Sequence, residues 1–367
     1  MALFAGQLNT SDVFSSIYNM IIGQVVNANN IADGYGSLVN RARSDGGLYG
    51  DTKLFYSTDI LKSHAWGGDA EATNLLAVAR PDAPHCQAIV LDVFRQIDLS
   101  VDEYLSKRAW SSEGAFIQFN GVLLGWLKVT KQVYDETTYN AFIGTAASSS
   151  ASQNITVTIT PVNTPASTAD EESAARIAGQ RIAEALSNLV IRLKKPSRLF
   201  NDLGFMRSYK ASDLEIIWNA AFVNAIEKID LPTIFHDEKL VKDFIKEENI
   251  LPAEYFGNIN SAAATGDGTT IYSLIEQDIT VGGQTYHVFP GELIPTGGTA
   301  AAGTSYTVDA KVICKVTVKE LPPYMSAFEV GTSFFNAKAL LTNHYLTWGH
   351  NTLERFDDKP FITVKSN

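Results

Sequence analysis

Residues 112–142 read SEGAFIQFNGVLLGWLKVTKQVYDETTYNAF, and this stretch decides the fold. Phe116, Phe119, Val122, Leu123, Trp126, Leu127, Val129, Thr130, Val133 and Tyr134 recur at helical spacing and cover well over half the circumference. The spacing predicts one helix over 112–139, about 30 residues with its flanks, where a globular helix averages about 11. Such a helix needs a long partner surface. Gln118, Gly121, Gly125, Lys128 and Gln132 form its one polar or small stripe. Each glycine costs roughly 1 kcal/mol in a helix, and the pair is expected to let another backbone come close.

Immediately upstream, 86–94 (CQAIVLDVF) is an apolar, β-branched run suited to a strand, and 98–105 (DLSVDEYL) is expected to be a short acidic turn. Further back, Phe14, Ile17, Met20, Ile21, Val25 and Ile31 mark a helix capped by Thr10 or Ser11 and ended by Gly34-Tyr-Gly. Residues 53–57 and 72–80 read as the arms of a long loop with Trp66-Gly-Gly-Asp near its tip; so long a loop should be functional or disordered.

Downstream, 144–153 is made mostly of small residues and reads as a linker. A period-two strand follows from Asn154, with a second domain expected to begin there. Thr168 and Glu171 form a capping box for a helix with Ala175, Ala178, Ile182, Ala185, Leu189 and Leu193 on one face. Leu214-Glu-Ile-Ile-Trp is a strand leading into a helical stretch through Ala225 and Ile229, and 237–244 and 252–256 are expected as short helices. Between 257 and 304 the composition shifts to Gly, Ala and Thr, with strands 270–275 and 285–289 joined at Gly282-Gly283 as a hairpin. The remainder, 312–318, 322–328, 334–356 and 361–364, is aromatic and strand-rich, giving an α+β chain.

The chain has 367 residues, 45% hydrophobic and 19% charged, enough to bury a large core and exclude wholesale disorder. Its 29 basic and 40 acidic residues leave a formal charge of -11, the wrong sign for gripping nucleic acid through phosphates. The N-terminus lacks a signal-peptide pattern, and no run of about 18 apolar residues occurs, so folding in a cytoplasm, away from membrane, is expected. Cys86 and Cys314 lie far apart in strand-like surroundings and read as buried free thiols.

Phosphate loops, dinucleotide fingerprints, zinc-protease helices and nucleophile elbows are all missing. His85 and Cys86 are neighbours on a strand and point to opposite faces, so they cannot act as base and nucleophile together. His236-Asp237-Glu238 reads as an acidic helix start, and His344 and His350 as satisfied core or interface histidines. The sequence therefore calls for no catalytic residue, no metal and no cofactor. A hydrolytic enzyme with a β-rich domain would instead need carboxylates such as Asp98, Asp102 or Glu103 converging in a cleft.

The order of parts resembles the major capsid protein of tailed bacteriophages, of the Hong Kong 97 fold and the short-tailed phage type. The resemblance is carried by Phe94-Arg-Gln-Ile-Asp running into Val101-Asp-Glu-Tyr, by Tyr134-Asp-Glu-Thr-Thr-Tyr-Asn-Ala-Phe, and by Arg207-Ser-Tyr-x-x-Ser-Asp-Leu-Glu-Ile-Ile. The closing Tyr345-Leu-Thr-Trp-Gly-His-Asn-Thr-Leu-Glu-Arg-Phe-Asp-Asp-Lys-Pro-Phe is similar to the C-terminal strand motif of short-tailed phages. The resemblance implies an N-terminal arm at 1–43, an extended E-loop at 44–82 and a P-domain with its spine helix at 83–170. It further implies a region that is mainly A-domain at 171–320, and C-terminal strands at 321–367 returning to the P-domain.

Phe4, Phe14, Ile17 and Ile21 of the arm, with Leu48, Tyr49, Phe55, Tyr56, Trp66 and Leu75 of the loop, are then the expected contacts between subunits. The implied function is a structural, non-enzymatic subunit of an icosahedral virion shell, made in a bacterial cytoplasm and assembling with copies of itself as pentamers and hexamers. Its implied partners are a portal and DNA enclosed without tight sequence-specific binding. The arm starts almost at Met1, where long-chain members of the family carry a cleaved helical domain, so a separate scaffolding protein is also implied. An encapsulin-like nanocompartment shell shares the fold and is the nearest alternative.

Overall fold

A computed structural model describes residues 37–45, 52–63, 80–101, 113–148, 150–159, 168–227 and 247–367. The expected arm helix, the tip of the long loop and the short helix at 237–244 lie outside the described residues.

Two five-stranded sheets organise the described chain. The first has the order β1 (Arg43–Asp45), β15 (Tyr324–Asn336), β16 (Leu341–Asn351), β3 (His85–Val101) and β2 (Thr52–Ser57). Its β3 has 17 residues, about 56 Å of extended chain. It pairs with β2 over His85 to Val90 and with β16 over Leu91 to Val101. The strand thus continues through Asp98–Val101, where an acidic turn is expected. Leu99 and Val101 keep the alternation that Leu91 begins, and β16 supplies the backbone partners.

Alongside runs the long helix, Glu113–Thr145, 33 residues or about 50 Å. A short helix, Leu38–Ala42, precedes it as α1, which makes the long helix α2. Burial is concentrated in the C-terminal part of α2, at Lys131, Tyr134, Asp135, Tyr139, Asn140, Ala141 and Ile143. Gly121, Gly125, Trp126 and Lys128 are exposed, so the first described turns present apolar as well as polar residues to the outside. Among the described residues nothing approaches within 4 Å of where a Cβ would stand on Gly121 or Gly125.

The expected linker is packed structure. Gly144 and Thr145 finish α2, Ser148 and Gln153 are buried, and both side chains bond the Asp202 carboxylate at 2.8 Å. β4 (Asn154–Val157) then joins the second sheet, of order β4, β17 (Phe361–Ser366), β14 (Val312–Val318), β5 (Leu214–Asn219), β6 (Ile250–Leu251). α3 (Thr168–Lys194) covers one face, its Ile182, Leu186, Leu189 and Leu193 meeting Leu214, Ile216 and Trp218 of β5 and Cys314 and Val316 of β14. The opposite face carries Ile217, Val312 and Phe361 against Leu38, Val39, Tyr139 and Ile143. Both faces are covered, so β5 and β14 are buried end to end. α4 (Ala220–Glu227) follows β5.

Residues 257–308 form a compact β module between β6 and β14, built from β7 (Gly257–Ile259), β8 (Ala264–Thr265), β9 (Ile271–Ser273), β10 (Gln277–Val281), β11 (Gln284–Val288), β12 (Thr299–Ala300) and β13 (Ser305–Val308). The expected hairpin at Gly282-Gly283 forms, and both glycines have positive φ. Its first strand is β10, however, and β9 pairs with β13. A two-residue turn fixes Val281 opposite Gln284, so the strand entering the turn must be the partner.

Candidate intersubunit surfaces

The described residues that precede the long loop are fastened to the core by two arginines. Arg41 of α1 pairs with the buried Glu215 carboxylate, and its other terminal nitrogen donates to Asn249 Oδ1 at 2.6 Å. Arg43 of β1 meets the buried Asp135 of α2 at 3.1 Å. Asp135 also accepts from Lys131 Nζ at 2.8 Å and from the Tyr324 hydroxyl at 2.6 Å, which satisfies both carboxylate oxygens. Beside it, His350 donates from Nδ1 to the Asn351 carbonyl and accepts from the Tyr134 hydroxyl at Nε2, 2.9 Å away. Burial holds this imidazole below its ordinary pKa and hence neutral. It is a satisfied core histidine.

Of the ten expected contact residues, Phe55 and Tyr56 lie in the described chain, on β2. Alternation sends them opposite ways. Phe55 turns inward, its ring 5.0 Å from that of Phe356, while Tyr56 is 65% exposed. Leu54 on the same outer face is also exposed, and Ile60 and Leu61 continue the apolar run, Leu61 at 77%. Between them Asp59 anchors the segment, accepting from the Met206 amide at 2.9 Å and from Arg198 at 2.5 Å. The Met206 hydrogen bond, with Arg198, draws its carboxyl down to about 2. The other eight (Phe4, Phe14, Ile17, Ile21, Leu48, Tyr49, Trp66 and Leu75) lie outside the described residues.

A second group of exposed apolar side chains, absent from that set, lies on the two faces of the β15–β16 hairpin. Phe334 is 64% and Phe335 54% exposed, joined by Val330 and Leu340. Adjacent aromatics on a strand face opposite sides, so no one-sided core could have covered both; the Phe334-Phe335 pair was the available signal. Because β2 pairs with the start of β3 and the hairpin tip with its end, the two surfaces flank opposite ends of one strand.

The carboxylates expected of a rival hydrolytic site are not seen together among the described residues. Asp98 projects from β3 opposite Tyr345; Asp102 and Glu103 lie outside the described residues. Among the described residues no group of three metal-ligating side chains converges, and no helix is long and apolar enough to cross a membrane. Cys86 is exposed rather than buried as expected, because it falls on the outer face of β3; Cys314 is buried.

No curated protein matches the chain in sequence. In structure it is similar to a chain of the Staphylococcus phage Andhra capsid, with a TM-score of 0.59 at 13% identity over 94% of this chain and 87% of that one. A chain from native bacteriophage P68, in the structure of its head fiber and inner core protein, aligns with a TM-score of 0.55 at 10% identity over 93% and 88%. A chain of the bacteriophage PhiM1 mature capsid aligns at 0.50 with 9% identity over 94% and 90%. The fold is thus the α+β Hong Kong 97 type found in phage capsids. The sequence pattern of the Phi29-like phage major capsid proteins matches residues 3–363, and the chain belongs to that family.

Proposed function

We propose that this capsid subunit closes an icosahedral shell from pentamers and hexamers, around DNA that it does not grip, with no catalytic step of its own. The observation that carries the proposal is the pair of exposed apolar surfaces, Leu54, Tyr56, Ile60 and Leu61 at one end of β3 and Val330, Phe334, Phe335 and Leu340 at the other. Clusters of large apolar side chains held open on a folded subunit mark protein contacts. Two different patches on one subunit make heterologous contacts, which generate rings and extended lattices. The formal charge of -11 disfavours tight phosphate binding and suits a container for DNA.

In the vocabulary of the fold, residues 1–43 act as the arm, 44–82 as the E-loop, 83–170 as the P-domain, 171–320 mainly as the A-domain and 321–367 as returning strands. The pairing of β15 and β16 with β3 supports that division. A separate scaffolding protein directs assembly, and a portal occupies one vertex. The test is coexpression with the neighbouring phage genes, followed by sedimentation and electron microscopy. Phe334→Glu with Phe335→Glu, and separately Tyr56→Glu with Leu61→Glu, should give folded subunits that fail to close shells. Normal shells from both double variants would refute the assignment.

A further inference from the structure

The β10–β11 hairpin meets the first sheet through charge. Residues 257–308 contain four carboxylates (Asp267, Glu276, Asp278 and Glu292), no lysine or arginine, and one histidine, His287. His287 lies directly opposite Asp278 in the hairpin register. Its Nδ1 is 2.7 Å from Asp278 Oδ1 and its Nε2 is 2.8 Å from Glu276 Oε1. The second oxygen of Glu276 pairs with Arg95 of β3. Arg95 in turn stacks on the Tyr134 ring of α2, 5.0 Å from its centroid. These groups, with Trp348 from the strand beside Arg95, line a cavity of about 400 Å³.

A neutral imidazole has one N–H, so it can donate to only one of the two carboxylates and must turn a lone pair on the other. Both ring nitrogens face carboxylate oxygens at hydrogen-bond distance, an arrangement satisfied only by the imidazolium.

We propose that His287 is a protonation-dependent clamp: as imidazolium it joins Asp278 to Glu276 and orients Glu276 toward Arg95, fastening the β module to the long sheet, and on losing its proton to solvent it loosens that junction. Among the described residues, the charged or titratable groups facing the imidazole are Asp278 and Glu276 from its own hairpin, Arg95 from β3 and, beyond the guanidinium, Tyr134 from α2. The Asp278 hydrogen bond raises the His287 pKa; burial opposes it, and the Glu276 hydrogen bond with the charges of both carboxylates leaves the net direction upward. A raised folded value places the stabilisation in full below about 6.5 and removes it as pH climbs through the folded pKa.

Hydrogen–deuterium exchange of the whole unassembled subunit, corrected for intrinsic exchange at each pH, tests the clamp. Opening of 277–288 should increase by up to about tenfold per pH unit between pH 6.5 and the folded pKa, while 182–193 of α3 stays level. His287→Gln should open 277–288 at every pH and abolish the dependence. A pH dependence that survives His287→Gln overturns the proposal. If that variant does not fold, NMR of histidine-labelled wild-type chain decides: His287 must titrate above 6.5, and a value at or below it overturns the proposal equally.

Discussion

Lys315 of β14 donates from Nζ to the carbonyl oxygen of Ala146, the residue that follows the last turn of the spine helix. The helix has no basic residue of its own in that turn, so the second sheet supplies the hydrogen-bond donor for its C-terminal end. The stem of Lys315 is buried, with Nζ 5.6 Å from the Phe361 ring centroid.

Removing that contact should be expensive. Lys315→Ala leaves the carbonyl unpartnered and a void beneath Phe361, with an expected loss of about 2–4 kcal/mol in urea unfolding of the unassembled subunit. Lys315→Met keeps the stem and should lose about half as much. Burial pulls the Lys315 ammonium down to about 7. Between there and about 10.4 the unfolded chain therefore binds more protons than the folded one, and this residue's contribution raises stability as pH increases. The difference between wild-type and Lys315→Met stability should widen in favour of wild type across that interval; a constant difference would rule the titration out.

The glycines of the spine helix should divide into two kinds. A Cβ on Gly144 would collide with the Tyr255 carbonyl, so Gly144→Ala is expected to cost about 1–3 kcal/mol by prising the helix end from 253–255. Gly121→Ala and Gly125→Ala meet nothing among the described residues and should each add about 0.5–1 kcal/mol to the unassembled protein. If the two positions receive a neighbouring backbone in the shell, the same variants will assemble poorly despite their greater stability, as sedimentation would reveal.

Asp135 is the hub of the buried charges, meeting Lys131, Arg43 and Tyr324. Asp135→Ala leaves the buried Lys131 with only Glu329, 3.4 Å away, and removes the partner of the part-exposed Arg43; it should cost about 3 kcal/mol or more. Tyr324→Phe, which deletes a single hydrogen bond, should cost about 1–3 kcal/mol. Chemical unfolding of both variants checks the order; equal losses would mean that the ion pairs contribute nothing beyond the hydroxyl.

Thiol labelling offers an inexpensive probe of the second sheet. Cys86 is exposed, whereas Cys314 is buried and burial pushes its thiol pKa up. Iodoacetamide should modify one cysteine in the native subunit and two in denaturant, as mass spectrometry of the peptides would establish. Native labelling of Cys314 would mean that the sheet opens on the reaction timescale.

Much of this architecture was legible because local pattern and tertiary demand agree. The helix at 113–145, the buried strand from Leu214 and the Gly282-Gly283 turn each carry a periodicity or turn chemistry with one reading. The failures come where partners distant in sequence decide. Asp98 and Ser100 look like a turn until β16 pairs with them. The small residues at 144–153 look like a linker until Asp202 gathers Ser148 and Gln153. The polar strand Gln277–Val281 is recognisable only from the register its turn imposes. In the loop, Phe55 and Tyr56 read alike; that Phe55 is covered and Tyr56 exposed follows only from Phe356 lying against the Phe55 ring.

The placement of β17 between β4 and β14 has a consequence for timing. Residues 361–366 are translated after every other strand of that sheet, yet they supply an interior strand rather than an edge. Until they leave the ribosome, β4 has no partner in the sheet and one side of β14 stays open. A nascent chain lacking 361–366 therefore cannot present a finished sheet, and the non-local pairing that completes it waits for those residues.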